Sequence, residues 1–142
     1  MDQLIDDLRE RLAPGGVLTG DAAAAYPRGP WTRLGEPLAI LRPTSTAEVA
    51  AILRLASAAG VPVTPWGGRT GLVDGCLADG SLALSLERMA AIEAIDPTAG
   101  TITVQAGCVL QTACEAAEAA GLFLPLDLGA RGSATIGGVI ST

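Results

Sequence analysis

Histidine and lysine are both missing from the 142 residues, and all nine basic side chains are arginine. Without histidine there is no Ser-His or Cys-His nucleophile pair, and the commonest metal ligand is gone; without lysine there is no Schiff-base amine. Any chemistry in which this chain takes part therefore belongs to a cofactor or to residues outside it. Cys76, Cys108 and Cys114 are odd in number and lack a Cys-x-x-Cys spacing. They indicate neither a disulfide framework nor a zinc site, and small buried thiols are the plain reading. The aromatics are only Tyr26, Trp31, Trp66 and Phe123, so alanine, leucine, valine and isoleucine must fill the interior. No apolar run reaches the ~18 residues of a spanning helix. The opening Met-Asp-Gln-Leu-Ile-Asp-Asp is acidic where a signal peptide is basic, and the expected location is cytoplasmic. A net charge of −6 with scattered arginines argues against a nucleic-acid partner, whose backbone needs clustered cations.

The hydrophobic share of 49% is that of a globular protein, and a domain of this length buries roughly 70% of the surface its unfolded chain exposes. Leu4, Ile5, Leu8 and Leu12 share one face of a helix expected over 2 to 13, which Pro14-Gly15-Gly16 ends. Residues 14 to 36 read as irregular. A short apolar run from Leu38 to Leu41 stops at Pro43, and Ser45-Thr46-Ala47-Glu48 is a capping box, with the Ser45 hydroxyl accepting from the Glu48 amide and the Glu48 carboxylate reaching back. The helix this starts carries Val49, Ile52, Leu53 and Ala56 on one face and ends at Gly60. With Val61 to Thr64 as the next strand, the segment makes a βαβ unit of parallel strands and right-handed crossover. Leu82 to Leu86 alternates like a strand. Ala91 to Ile95 and Thr101 to Gln105 flank the turn Asp96-Pro97-Thr98-Ala99-Gly100 as a hairpin. A helix from about Leu110 to Ala120, with Ala113, Ala117 and Ala120 on a small-residue face, ends at Gly121. The expected class is α+β, a small parallel lobe followed by the start of an antiparallel one.

Two glycine clusters interrupt this pattern. Val63 to Gly75 reads Val-Thr-Pro-Trp-Gly-Gly-Arg-Thr-Gly-Leu-Val-Asp-Gly. Glycines at 67, 68, 71 and 75 would allow positive φ and let successive amides converge on an anion such as a phosphate. The same composition serves an ordinary surface turn. It is neither the Gly-x-Gly-x-x-Gly dinucleotide fingerprint nor the Walker loop, which needs lysine. The second cluster, residues 125 to 142, combines Gly129, Gly132, Gly137 and Gly138 with the hydroxyls of Ser133, Thr135, Ser141 and Thr142.

From Leu38 to Thr142 the chain resembles the N-terminal FAD-binding half of the vanillyl-alcohol-oxidase/PCMH flavoprotein superfamily. Within it, the likeness is to the branch of FAD-linked D-lactate dehydrogenases, the glycolate oxidase catalytic subunit and D-2-hydroxyglutarate dehydrogenase. The stretches that carry it are Arg42-Pro43, Pro65-Trp66-Gly67-Gly68-Arg69-Thr70-Gly71-Leu72, Pro125-Leu126-Asp127-Leu128-Gly129-Ala130-Arg131-Gly132-Ser133 and Ile136-Gly137-Gly138. The resemblance implies that Pro65 to Leu72 wrap the FAD pyrophosphate, with the amides of Gly67 to Gly71 and the Thr70 hydroxyl as donors. It further implies that Gly132, Ser133, Ile136, Gly137, Gly138 and Thr142 line pyrophosphate, ribityl chain and flavin ring. Asp127 would lie near the isoalloxazine, although an aspartate there also serves as a helix or turn cap. No catalytic residue is assigned. Three boundaries follow: a lead-in over 1–36, a first FAD-binding lobe with the glycine loop over 37–90, and the start of a second lobe over 91–142.

The departures from the pattern are specific. Val139 stands where members usually have asparagine. Members that tether the flavin through histidine carry it in the first loop, where this chain has Arg69 and Thr70, so the resemblance implies non-covalent FAD. The pattern runs on after Ser-Thr into Asn-Ala-Gly-Gly and a substrate domain, and the sequence to Thr142 is therefore expected to be C-terminally truncated. The expected function is the FAD-binding part of a dehydrogenase oxidising a D-2-hydroxy acid to the 2-oxo acid, with a partner chain as one source of the missing half. The alternatives are a non-catalytic FAD-binding module and a superfamily oxidase acting on another alcohol.

Overall fold

In the computed structural model, which describes residues 1–27 and 33–142, the chain divides into two compact units: residues 1–66 with 71–88, and residues 67–70 with 89–142. The first glycine loop is thus shared out, its first four residues going to the second unit.

The first unit is built on a four-stranded sheet, β1 (Val17–Leu18), β2 (Ala39–Leu41), β3 (Val63–Trp66) and β4 (Leu82–Ser85), in the order β1-β2-β4-β3. The strands β2 and β3 each pair with β4 in parallel, Ala39 and Val63 both opposite Leu82, while β1 runs antiparallel to β2. The expected βαβ unit therefore exists, but its strands are not neighbours, because the later β4 lies between them. Both β2 and β4 are buried along their whole length, as strands covered on two faces must be. Alternation sorts their side chains: Ala39, Leu41, Leu82 and Leu84 join Leu4, Leu8, Ile52 and Ala56 in one cluster, whereas Ile40 and Ala83 join Tyr26, Leu34, Trp66 and Ala78 in another.

The first cluster is supplied by α1 (Asp2–Arg11) and α3 (Thr46–Ala58). The Ser45 hydroxyl accepts from the Glu48 amide at 3.2 Å, as a capping box requires. The Glu48 carboxylate reaches one residue further back than the motif predicts, accepting from the Thr44 amide at 2.7 Å and from the Ala13 amide at 3.0 Å. It thereby ties the end of α1 to the start of α3. Gly60, at φ +67°, closes α3 with the paired bonds Gly60 N–H to Ser57 and Val61 N–H to Ala56, a Schellman ending.

Residues 14–36 are less irregular than their composition suggests, since β1 and a five-residue helix, α2 (Gly20–Ala24), lie within them; residues 28–32 of that stretch lie outside the described residues. The strand is two residues long and the helix has no amphipathic repeat, so neither presents a pattern long enough to read.

The second unit holds an antiparallel hairpin, β5 (Ile92–Asp96) and β6 (Thr101–Val104), a helix α4 (Leu110–Ala119) and a single turn α5 (Ile136–Val139). The Asp96 carboxylate accepts from the Thr98 and Ala99 amides to hold the hairpin turn. Ala113 and Ala117 are buried on α4. Gly121, at φ +74°, ends it with the same pair of bonds as Gly60, to Glu118 and, through Leu122, to Ala117.

Candidate cofactor-binding site

Within the second unit, the backbone of Gly67 and Gly68 lies directly on Ser133, Ala134 and Thr135. A methyl group at Gly68 would collide with the Ser133 carbonyl oxygen and come within 2.9 Å of the Ala134 Cα; one at Gly67 would strike the Thr135 Oγ1. The two glycine clusters of the sequence are therefore in contact, and the glycines serve close approach rather than unusual torsion angles. None of Gly67, Gly68, Gly71 and Gly75 has positive φ, contrary to expectation; Arg69, at 54°, and Asp74, at 55°, carry the left-handed conformation instead.

Three backbone donors of the loop are uncommitted. Among the described residues, the amides of Gly67, Gly68 and Thr70 make no backbone hydrogen bond. The second segment differs: the Ile136 amide donates to the Cys108 carbonyl and that of Gly137 to Ala106, each at 2.8 Å. Gly137 is bare for the same reason as Gly68, since a Cβ there would sit 2.9 Å from Ala106. Two of the amides expected beside the cofactor are thus spent on holding the segment to the connection between β6 and α4. The hydroxyls of Ser141 and Thr142 are likewise turned back, donating to the Gly137 and Val139 carbonyls.

The remaining expected positions separate by environment. Trp66 is core: it is 1% exposed, donates from Nε1 to the Cys76 carbonyl at 2.7 Å, and its ring centroid is 5.7 Å from that of Tyr26. Pro65 is an exposed strand residue opposite Leu84, and Leu72 is solvent-exposed beside Val73. In the second unit, Asp127, Leu128, Gly129 and Arg131 line an open depression of about 360 Å³. Asp127 pairs there with Arg131 at 3.3 Å with both side chains exposed; among the described residues the aspartate caps no helix. Gly132 has open space around it and Ser133 is exposed. Cys108 is buried, and burial pushes its thiol pKa up, which keeps it protonated and unreactive. Thr135, named in the sequence as one hydroxyl of the second cluster but not among the expected cofactor contacts, is 7% exposed, and its Oγ1 is enclosed with no hydrogen-bond partner.

A loop with three free amides beside a bare glycine segment fits an anionic, elongated cofactor, and the enclosed hydroxyl next to it is a further polar group left for a ligand. A family model described as an FAD binding domain matches residues 37–142, and the chain belongs to that family. Its curated relatives include D-2-hydroxyglutarate dehydrogenases. The one from Bos taurus, designated mitochondrial, is 39% identical over 142 residues, covering 96% of this chain and 26% of its own length. That from Xanthomonas citri pv. viticola is 48% identical over 115 residues, covering 79% of this chain and 24% of its own. The chain spans about a quarter of the length of these relatives. Among solved structures, an alkyldihydroxyacetonephosphate synthase shares the fold at a TM-score of 0.87 and 19% identity, covering 100% of this chain and 29% of that one. No described helix is long and apolar enough to cross a membrane.

Proposed function

We propose that these residues form the pyrophosphate-holding part of a flavin-dependent dehydrogenase that oxidises a D-2-hydroxy acid to the 2-oxo acid. The observation that carries the proposal is the contact of the Gly67-Gly68 backbone with Ser133 to Thr135, which leaves the Gly67, Gly68 and Thr70 amides free to receive phosphate oxygens. Thr70, Gly132, Ser133 and Gly138 stand beside them as further contacts, and Asp127 with Arg131 borders the depression proposed for the flavin end. FAD, when bound, supplies the two-electron acceptor; the chain's own residues bind and orient it. No histidine is present to tether it, and acid precipitation of the loaded chain is expected to release all of the flavin. The hydroxy-acid class rests on the 39% and 48% identical relatives. The cytoplasm is the proposed compartment, against the mitochondrial designation of the bovine relative, and cell fractionation decides between them.

Two experiments test the reading. Titration of the chain with FAD, followed by quenching of flavin fluorescence, is expected to saturate; an unquenched titration overturns the binding site. A chimera then carries residues 1–142 in place of the matching segment of the bovine relative. Recovery of dye-linked turnover on D-2-hydroxyglutarate supports the substrate class, and a folded, flavin-loaded but inactive chimera argues for a superfamily oxidase of other specificity. The chain on its own is expected to stay at the free-flavin background with D-lactate, glycolate or D-2-hydroxyglutarate, because it offers no histidine or lysine to take the hydroxyl proton near neutral pH. That outcome equally suits a non-catalytic FAD-binding module.

A further inference from the structure

Thr135 holds a polar atom that its own surroundings do not use. Its Oγ1 is enclosed, and the residue is 7% exposed. Of the neighbouring amides, those of Ile136 and Gly137 donate to Cys108 and Ala106 and that of Val139 to the carbonyl of Thr135 itself, while the hydroxyl, at the N-cap of α5, makes no capping bond to the uncommitted Gly138 amide. Above it lies Gly67, so close that a methyl group there would strike the hydroxyl. A threonine hydroxyl enclosed without a partner destabilises the protein relative to a valine of the same shape. The loop over it is also held at a cost, because Arg69 sits at φ 54°, a region disfavoured for residues other than glycine. The unpaired groups gathered here are donors, namely the amides of Gly67, Gly68, Thr70 and Gly138 and the O–H of Thr135. Such a set suits an anion.

We propose that Thr135 is a ligand-coupled positioning residue: its hydroxyl gains a partner only when a phosphate-bearing ligand draws the Gly67 to Thr70 loop into its bound arrangement. The inference rests on the FAD reading and adds a thermodynamic role for a residue beneath the loop. Part of the ligand's affinity is then the satisfaction of a group that was already buried. The hydroxyl thus weakens the empty protein and strengthens the occupied one.

The test compares wild type, Thr135→Val and Thr135→Ser, with FAD, ADP and riboflavin as probes. Melting of the ligand-free chain and fluorescence or calorimetric titration are read side by side. Thr135→Val is expected to melt at a higher temperature than wild type when empty, yet to bind FAD and ADP about tenfold more weakly, a loss of about 1.4 kcal/mol. Riboflavin, which has no phosphate, should bind the two proteins alike, and Thr135→Ser should restore FAD affinity. Hydrogen exchange at residues 67–70 should slow on adding ADP to wild type and change less in Thr135→Val. Stability and affinity falling together in the valine variant would overturn the proposal, as would unchanged affinity or an equal loss for riboflavin. Failure of wild type to bind FAD and ADP would instead sink the flavin reading and this inference with it.

Discussion

The two units hold their shape by different means. In the first, both hydrophobic clusters gather large side chains, among them Leu8, Ile40, Leu41, Ile52, Leu82 and Trp66, on the two faces of a parallel sheet. In the second, the buried apolar residues are Met89, Cys108, Leu110, Ala113, Ala117 and Ala134, and the glycine segments are fixed by backbone bonds such as Gln111 N–H to Arg131 and Ile136 N–H to Cys108. Burial of apolar side chains is the larger and less directional stabiliser. Backbone contacts at glycine are weaker in sum and far less tolerant of added atoms. A scaffold can absorb a changed side chain by repacking, whereas a ligand site made of main chain cannot absorb one more methyl group.

Substitutions can break this contrast. The largest loss is expected from Ile52→Ala, which empties a fully buried position against Leu41 and Leu82 and should cost about 2–5 kcal/mol, read by urea unfolding. Hydrogen exchange resolved by segment should show the loss in β2 and β4 first; equal loosening of residues 131–139 would deny the units separate supports. Next comes Gly68→Val, at about 1–3 kcal/mol for overpacking. The cause is collision with the Ser133 carbonyl, not a torsion penalty, since Gly68 has no positive φ. FAD retention should be abolished, while Gly75→Ala, which meets open space, should retain it; flavin absorbance of the purified variants decides.

Smaller effects sharpen the picture of the first unit. The Tyr26 hydroxyl bridges Ser85, at 3.0 Å, and the Glu87 carboxylate, at 2.5 Å, and Glu87 in turn pairs with Arg42 at 2.5 Å. Tyr26→Phe keeps the ring against Trp66 and should cost about 1 kcal/mol, measured by thermal melting; an unchanged melt would mean that the hydroxyl contributes nothing. The smallest effect concerns Glu48. Partial burial raises its pKa, but hydrogen bonds from the Thr44 and Ala13 amides outweigh that and leave it below the ordinary glutamate value. A depressed folded pKa gives stability that is complete above the unfolded value of about 4.3 and is lost as pH falls through the folded one. Melting temperature should therefore drop in acid, and Glu48→Gln should flatten that part of the profile at a cost below about 1 kcal/mol.

What could be read from the sequence was what local chemistry decides. Ser45 with Glu48, Gly60, Gly121 and the Asp96 turn each act within a few residues of themselves, and all fall at the element ends expected of them. The insertion of β4 between β2 and β3 was not legible, because pairing order is settled by distant partners. Nor was the burial of the Trp66 indole in the core beside the glycine loop. The glycines at 67 and 68 were expected to supply positive φ, whereas the Thr135 hydroxyl over Gly67 and the Ser133 carbonyl over Gly68 are what leave no room for a side chain. Thr135 was legible only as one hydroxyl of the second cluster, because its enclosure without a partner is a property of tertiary packing.

The strand order carries a consequence for how the chain is made. During synthesis β2 and β3 leave the ribosome before the one strand that both require, and Ala39 and Val63 wait for Leu82. Until Ser85 has emerged, β3 has no ladder partner and β2 has only the two residues of β1. Closing such long-range pairs is entropically slow, and unpaired apolar strands are prone to join their like in other chains. Were α1 to dock on α3 before that point, tied by Glu48 to Ala13 and Thr44, the pair would shield one face of this nascent sheet while its centre is still missing.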